Sequence, residues 1–96
     1  YGGHCAYCGK VLDLKTLRVD HLHPHYRGGE DSFDNYMPAC YQCNFYKSTL
    51  LLDEFREQMS TLHERISKPF IARLGLDYGI IEIKPFNGKF YFEEET

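Results

Sequence analysis

The sequence predicts a small α+β domain, stapled by zinc and extended at its C-terminal end by a helix and a β-hairpin. Three observations carry that prediction. Two C-x-x-C pairs, Cys5 with Cys8 and Cys40 with Cys43, have the spacing of two knuckles closing on one tetrahedral metal. The chain has 96 residues, enough for one small domain whose core is slight and which an added staple would hold. Apolar residues alternate roughly up to Leu22 and recur every three or four residues from Leu52 onward.

The elements follow in order. Gly2-Gly3-His4 leads into the first knuckle, where Gly9 suits a tight turn whose N–H groups point at sulfur. Leu17 to His21 reads as a strand, and His23-Pro24 ends it because Pro cannot donate to a ladder. Arg27 to Asp31 contains Gly28-Gly29 and reads as a loop. Ser32 to Asn35 is expected to make a helical turn, and Tyr36 to Ala39 returns to the second knuckle. A short helix is expected over Cys43 to Lys47. Leu52, Phe55, Met59, Leu62 and Ile66 then mark one face of an amphipathic helix, with Asp53 and Glu54 in its first turn. Ser67-Lys68-Pro69 breaks it, and Pro69 opens a second short helix ending near Gly75. Ile80–Lys84 and Lys89–Glu93 are rich in β-formers and flank Asn87-Gly88, a hairpin signal. The chain ends on an acidic run, Glu93-Glu94-Glu95. These elements predict a core over residues 1–50 and a helix-and-hairpin extension over 51–96, packed together as one domain.

Charge narrows the function classes. The net charge is −3, which argues against a protein that grips nucleic acid by charge alone. The acid is unevenly placed: residues 1–50 carry five Lys/Arg and five Asp/Glu with four His, and residues 51–96 carry six against nine. Contact with a polyanion therefore belongs to the first half, and the acidic second half is the place for a protein partner. No apolar run approaches the ~20 residues of a membrane span. Disulfides are the rival use of the cysteines, but paired knuckles suit a metal better and no secretory signal is in view. The chain opens on Tyr rather than Met, which leaves room for an upstream segment.

The polar residues that the knuckles bring together carry the chemistry. In order they read C-x-x-C, then Asp20-His21-x-x-Pro24 with Gly28-Gly29 downstream, then Asn35, then Pro38-x-C-x-x-C-Asn44-x-x-Lys47. This order resembles the HNH endonuclease family, whose fold is the ββα-metal motif, over about Cys5 to Lys47. The resemblance implies an endonuclease that hydrolyses DNA to 5′-phosphate and 3′-hydroxyl ends. It implies that His21 is the general base, that Asp20 binds a catalytic Mg²⁺ or Mn²⁺, and that Asn35 orients the base and holds the loop. Asn44 stands where the family's last His would be, making an H-N-N variant whose amide oxygen also meets the cation. Arg27 and Lys47 fall where basic residues meet phosphate. Cys5, Cys8, Cys40 and Cys43 match the optional structural zinc knuckles. The setting implied is cytoplasmic, of prokaryotic or phage type.

Residue chemistry supports the same reading. Phosphodiester hydrolysis needs a nucleophile, charge stabilisation and help for the leaving oxygen. An imidazole with an ordinary pKa near ~6.5 is partly neutral base at pH 7. A hard cation prefers oxygen ligands and keeps positions for water and phosphate. Four thiolates close the zinc, so that metal is structural. One geometric point resists: neighbouring strand residues point to opposite faces, so Asp20 and His21 diverge unless the strand bends or ends there.

Plainer roles stand beside these. Arg27 and Lys47 are also read as solvated charges, and Asn44 as a helix N-cap. His23 and His25 extend an alternating run that suits either a second metal or a solvated strand end. His4 and His63 read as surface residues. The eight Tyr and seven Phe serve a small core first and base stacking second. The alternative function is a catalytically inactive zinc module on the same scaffold, binding DNA or a protein partner as a regulator or inhibitor.

Overall fold

The computed structural model describes residues 1–94; Glu95 of the expected acidic run lies outside them. A two-stranded antiparallel sheet and five α-helices make up its regular elements, the small α+β architecture expected. Strand β1 (Arg18–His21) pairs with β2 (Tyr36–Ala39), with Asp20 opposite Met37 and His21 opposite Tyr36. Helix α1 (Tyr41–Lys47) follows β2 after Cys40 alone, giving the order ββα. The chain divides into two compact units, Tyr1–Phe55 with the segment from Lys89 on, and Arg56–Gly88.

In the first unit the knuckles and an aromatic cluster share one interior. Cys5, Ala6, Tyr7, Met37, Ala39, Cys40, Phe55 and Phe90 are buried there. Tyr7 meets both Phe55 and Phe90 edge-on at 5.5 Å, and Phe55 stacks on Phe90 at 5.0 Å. Such pairs add about 0.5–1.5 kcal/mol each beyond area burial. Gly9 is required for this packing: its φ is 81°, and a Cβ there would lie 2.7 Å from the Tyr91 ring. Helix α1 starts at Tyr41, earlier than the expected Cys43, because Cys40 is its N-cap and its sulfur accepts the Cys43 N–H at 3.4 Å.

The expected C-terminal hairpin does not form among the described residues. Residues 81–87 carry no regular element, and α5 (Tyr91–Glu94) is helical. The backbone donors of both segments are spent elsewhere. Ile80 and Ile81 N–H groups return to the Gly75 carbonyl. Tyr91 and Phe92 donate to the carbonyls of Tyr7 and Ala6, at 3.0 and 2.8 Å. The burial of Phe90 outweighs the local β-propensity.

The long amphipathic helix expected over Leu52–Ile66 is two helices, α2 (Leu52–Ser60) and α3 (Leu62–Ile66). Ser60 Oγ donates back to the Arg56 carbonyl and Thr61 Oγ1 to that of Gln58, the local competition by which hydroxyls bend helices. Phe55 is buried, but Met59 and Leu62 are only half-buried and Ile66 is exposed, so the expected core face holds at its first turn. In the second unit α4 (Phe70–Asp77) runs past Gly75. It closes where Gly79 N–H bonds Leu76 O and Ile80 N–H bonds Gly75 O, with Gly79 at φ 71°. The glycine stop is therefore four residues later than expected.

Candidate functional site at the end of the first strand

The knuckles come together as expected. The four cysteine sulfurs of Cys5, Cys8, Cys40 and Cys43 all lie within 4.8 Å of one another. The donor set fits zinc: four thiolates at tetrahedral spacing with no oxygen among them. Their mutual effect on acidity points the same way. A hydrogen bond from Cys43 pulls the Cys5 thiol down to about 4, and the same bond pushes the Cys43 thiol up. The Cys5 thiolate is thus stabilised by its neighbour's proton. Ala6 N–H bonds the Pro38 carbonyl, tying the first knuckle to β2.

Alternation along β1 sends its last two side chains apart. Asp20 turns inward and is 4% exposed, while His21 is half-buried at the strand end. Asp20 Oδ2 lies 3.0 Å from Lys47 Nζ and accepts the Tyr7 hydroxyl at 2.5 Å. Lys47 is fully buried, and its ammonium also donates to the His21 carbonyl at 3.0 Å. Burial, then the Asp20 charge, pushes the Tyr7 phenol far up, so it remains a donor.

Asp20 and Lys47, expected to meet a cation and a phosphate, are thus paired with one another and buried in the fold.

His21 Nε2 meets Asp31 Oδ1 at 2.7 Å, and His25 Nε2 lies 3.5 Å from the other oxygen of the same carboxylate. The His21 hydrogen bond holds the Asp31 carboxyl below the usual range. The Tyr36 ring packs edge-on to His21 at 5.4 Å. Asp31 is the residue that sequence reasoning passed over as part of a loop. The signal was an acid ten positions after His21, just past a Gly-Gly turn that brings the chain back. His25, read only as one of an alternating run, is here a second imidazole on that carboxylate.

Asn35 builds the loop that presents Asp31. Its Oδ1 accepts the His23 N–H at 2.8 Å, and its Nδ2 donates to the carbonyls of His23 and Glu30 at 2.9 and 2.8 Å. Three of the four hydrogen-bonding capacities of the amide hold loop backbone. Gly29 is obligatory, since a Cβ there would lie 1.7 Å from the His23 carbonyl oxygen. His23 Nε2 donates to the Arg27 carbonyl at 2.8 Å, a further tie within the loop.

Asn44 lies inside the first turn of α1, so the cap role belongs to Cys40. Among the described residues the Asn44 side-chain amide has no hydrogen-bond partner, which leaves its oxygen free. Arg27 is engaged at the surface: NH1 meets Glu54 Oε1 at 2.7 Å and NH2 meets Oε2 at 3.5 Å. That pair, with the Arg27 contact first, holds the Glu54 carboxyl below its usual range.

Residues 5–49 match the model of the HNH endonuclease family. This segment is an HNH domain. None of the curated proteins matches the chain. The HNH segment contains all four cysteines, His21, Asp31, Asn35 and Asn44, and it supports a nuclease or other nucleic-acid-related function. Among the described residues no helix is long and apolar enough to cross a membrane.

Proposed function

We propose that this HNH domain is an endonuclease hydrolysing DNA phosphodiester bonds, with His21 as its general base. The contact of His21 Nε2 with Asp31 Oδ1 at 2.7 Å carries the reading. An ionised carboxylate only accepts, so Nε2 carries the proton and Nδ1 keeps a lone pair. Asp31 thereby fixes tautomer and ring together, as an acid does behind an imidazole base. Water deprotonated at Nδ1 attacks phosphorus in line, and the 3′ oxygen departs. Asn35 supports this by holding the carbonyl of Glu30, the neighbour of Asp31.

Of the expected cation ligands, Asn44 alone fits, through its unengaged amide oxygen. Mg²⁺ or Mn²⁺ held there with substrate phosphate would offset the charge that develops on the phosphate oxygens. Supercoiled plasmid incubated with zinc-loaded protein and Mg²⁺ or Mn²⁺ tests the reading. Wild type should nick it, and His21→Ala should lose at least about a hundredfold, the low end for a general base. Nicking by the variant at the wild-type rate removes His21 from the chemistry.

The commitment of Asp20 to Lys47 favours a second reading, a zinc module on the HNH scaffold that binds without cleaving. It would act as a regulator or inhibitor on DNA or on a protein partner that docks on the acidic second half. Plasmid binding with no nicking at any Mg²⁺ or Mn²⁺ concentration would select it over the first.

A further inference from the structure

A second surface of the first unit has no part in the His21 site. Lys10, Lys15 and Arg18 line a cleft of about 340 Å³, together with Thr16, Tyr41 and Gln42. The three basic residues are the charged side chains of the lining, which also includes the knuckle residue Cys40. The acid nearest in sequence, Asp13, is turned into its own loop, where its carboxylate accepts the N–H groups of Lys15 and Thr16 at 2.8 and 2.9 Å. In a chain of net charge −3 this is a local inversion of sign.

The cleft continues onto an aromatic platform. The Arg18 guanidinium lies 5.9 Å from the centre of the Tyr41 ring. Tyr41 in turn stacks on Phe45, one helical turn along α1, with centroids 5.8 Å apart and planes 21° off parallel. Both rings face solvent, Tyr41 at 61% and Phe45 at 71% exposed. The same helix buries Cys40 and Lys47 on its other side, so the platform is the outward face of a helix anchored by the knuckle. Asn44 precedes Phe45 and sits beside this face.

We propose that Lys10, Lys15, Arg18, Tyr41 and Phe45 form a docking platform for a nucleic-acid strand with unpaired bases. The three cations suit a phosphate backbone, and flat rings at the end of a basic cleft suit bases that have left the stack. A duplex would offer the phosphates but keep its base faces hidden. The inference rests on the nucleic-acid reading of this domain and adds the state of the strand: single-stranded, gapped or branched.

Binding measured without cleavage separates the two ideas. Zinc-loaded His21→Ala protein, with no Mg²⁺ or Mn²⁺ added, is titrated into a labelled 20-mer of dT and into a blunt duplex of the same length, by fluorescence anisotropy. The single strand should bind more tightly. Tyr41→Ala with Phe45→Ala should weaken single-strand binding at least about tenfold and duplex binding by less than about threefold, from the usual range for ring–base stacking. Tyr41→Phe should keep the binding, since the ring is retained. Lys10→Gln with Lys15→Gln should make the salt dependence shallower by about 1.4 in log–log slope, two phosphates' worth on a single strand. Zinc content and near-UV circular dichroism certify each fold, and Phe45→Ala alone stands in if Tyr41→Ala loses zinc. Equal losses on strand and duplex, no loss on either, or tighter binding to an acidic peptide than to dT would each overturn the proposal. The plasmid assay of His21 is unaffected by any of these results.

Discussion

Asp20→Asn is expected to destabilise the zinc-loaded protein by about 3–5 kcal/mol, the cost of leaving one buried charge without its partner. The magnitude comes from the geometry. Lys47 is fully buried, Asp20 is 4% exposed, and their charged atoms are 3.0 Å apart. The asparagine oxygen can still accept from Tyr7, but it offers no charge to the ammonium. A chain of 96 residues has roughly 5–14 kcal/mol in total, so the loss is about a fifth of it or more. Replacing both ions, as Asp20→Leu with Lys47→Met, should restore part of that loss: no charge is left unpaired, while the Tyr7 hydroxyl and the His21 carbonyl lose their partners. Tyr7→Phe should cost about 1.5–3 kcal/mol, a hydrogen bond to a charged group. Urea unfolding at pH 7, with zinc content measured alongside, decides it. An Asp20→Asn protein within about 1 kcal/mol of wild type, or a double variant as damaged as the single, would refute the assignment of Asp20 as a structural ion.

Other outcomes follow from the same contacts. Cys40→Ser removes a zinc ligand but leaves an oxygen able to cap α1, and should abolish cooperative unfolding near room temperature; a chelated protein with native near-UV dichroism would contradict this. Asp31→Asn should lower cleavage while leaving zinc and fold intact, measured as turnover beside circular dichroism. Because the Asp31 carboxyl is depressed, its contact with His21 is present above the ordinary carboxylate range and is lost as pH falls through the depressed value. Asp31→Asn should therefore alter the acid limb of the pH–rate profile, measured beside wild type. Gly29→Ala should collapse the loop and the His21–Asp31 contact without releasing zinc, read by protease sensitivity of residues 22–35 against metal content. Asn44→Ala should raise the Mn²⁺ concentration needed for half-maximal cleavage, and an unchanged titration would remove Asn44 from the site.

The parts that local chemistry decides were legible in the sequence. The knuckles, β1, the turn before Asn35 and the break at Pro69 each rest on residues within a few positions of one another. Parts decided by tertiary contact were not. Ile80–Lys84 and Lys89–Glu93 carry good β-formers, yet Phe90 finds Tyr7 and Phe55, and its neighbours bond the first knuckle. Asp31 was passed over for the same reason: the Gly-Gly turn shows that the chain comes back, not that Asn35 will pin that loop beside a strand end. Lys47 was expected at phosphate by resemblance alone, and its burial beside Asp20 is a tertiary contact that local sequence does not announce.

The two ends of this logic meet at β1. Lys47 bonds the Asp20 carboxylate and the His21 carbonyl at once, so the buried pair also holds the backbone from which the His21 ring projects. A variant at Asp20 will therefore move the His21 ring whether or not Asp20 ever touches a cation, and a loss of activity alone cannot assign its role. The discriminating measurement is the cation titration taken together with stability. A structural ion lowers stability and maximal turnover and leaves the half-saturating cation concentration where it was. A cation ligand shifts that concentration and spares the fold. Asp20→Asn, measured both ways, should behave as the first.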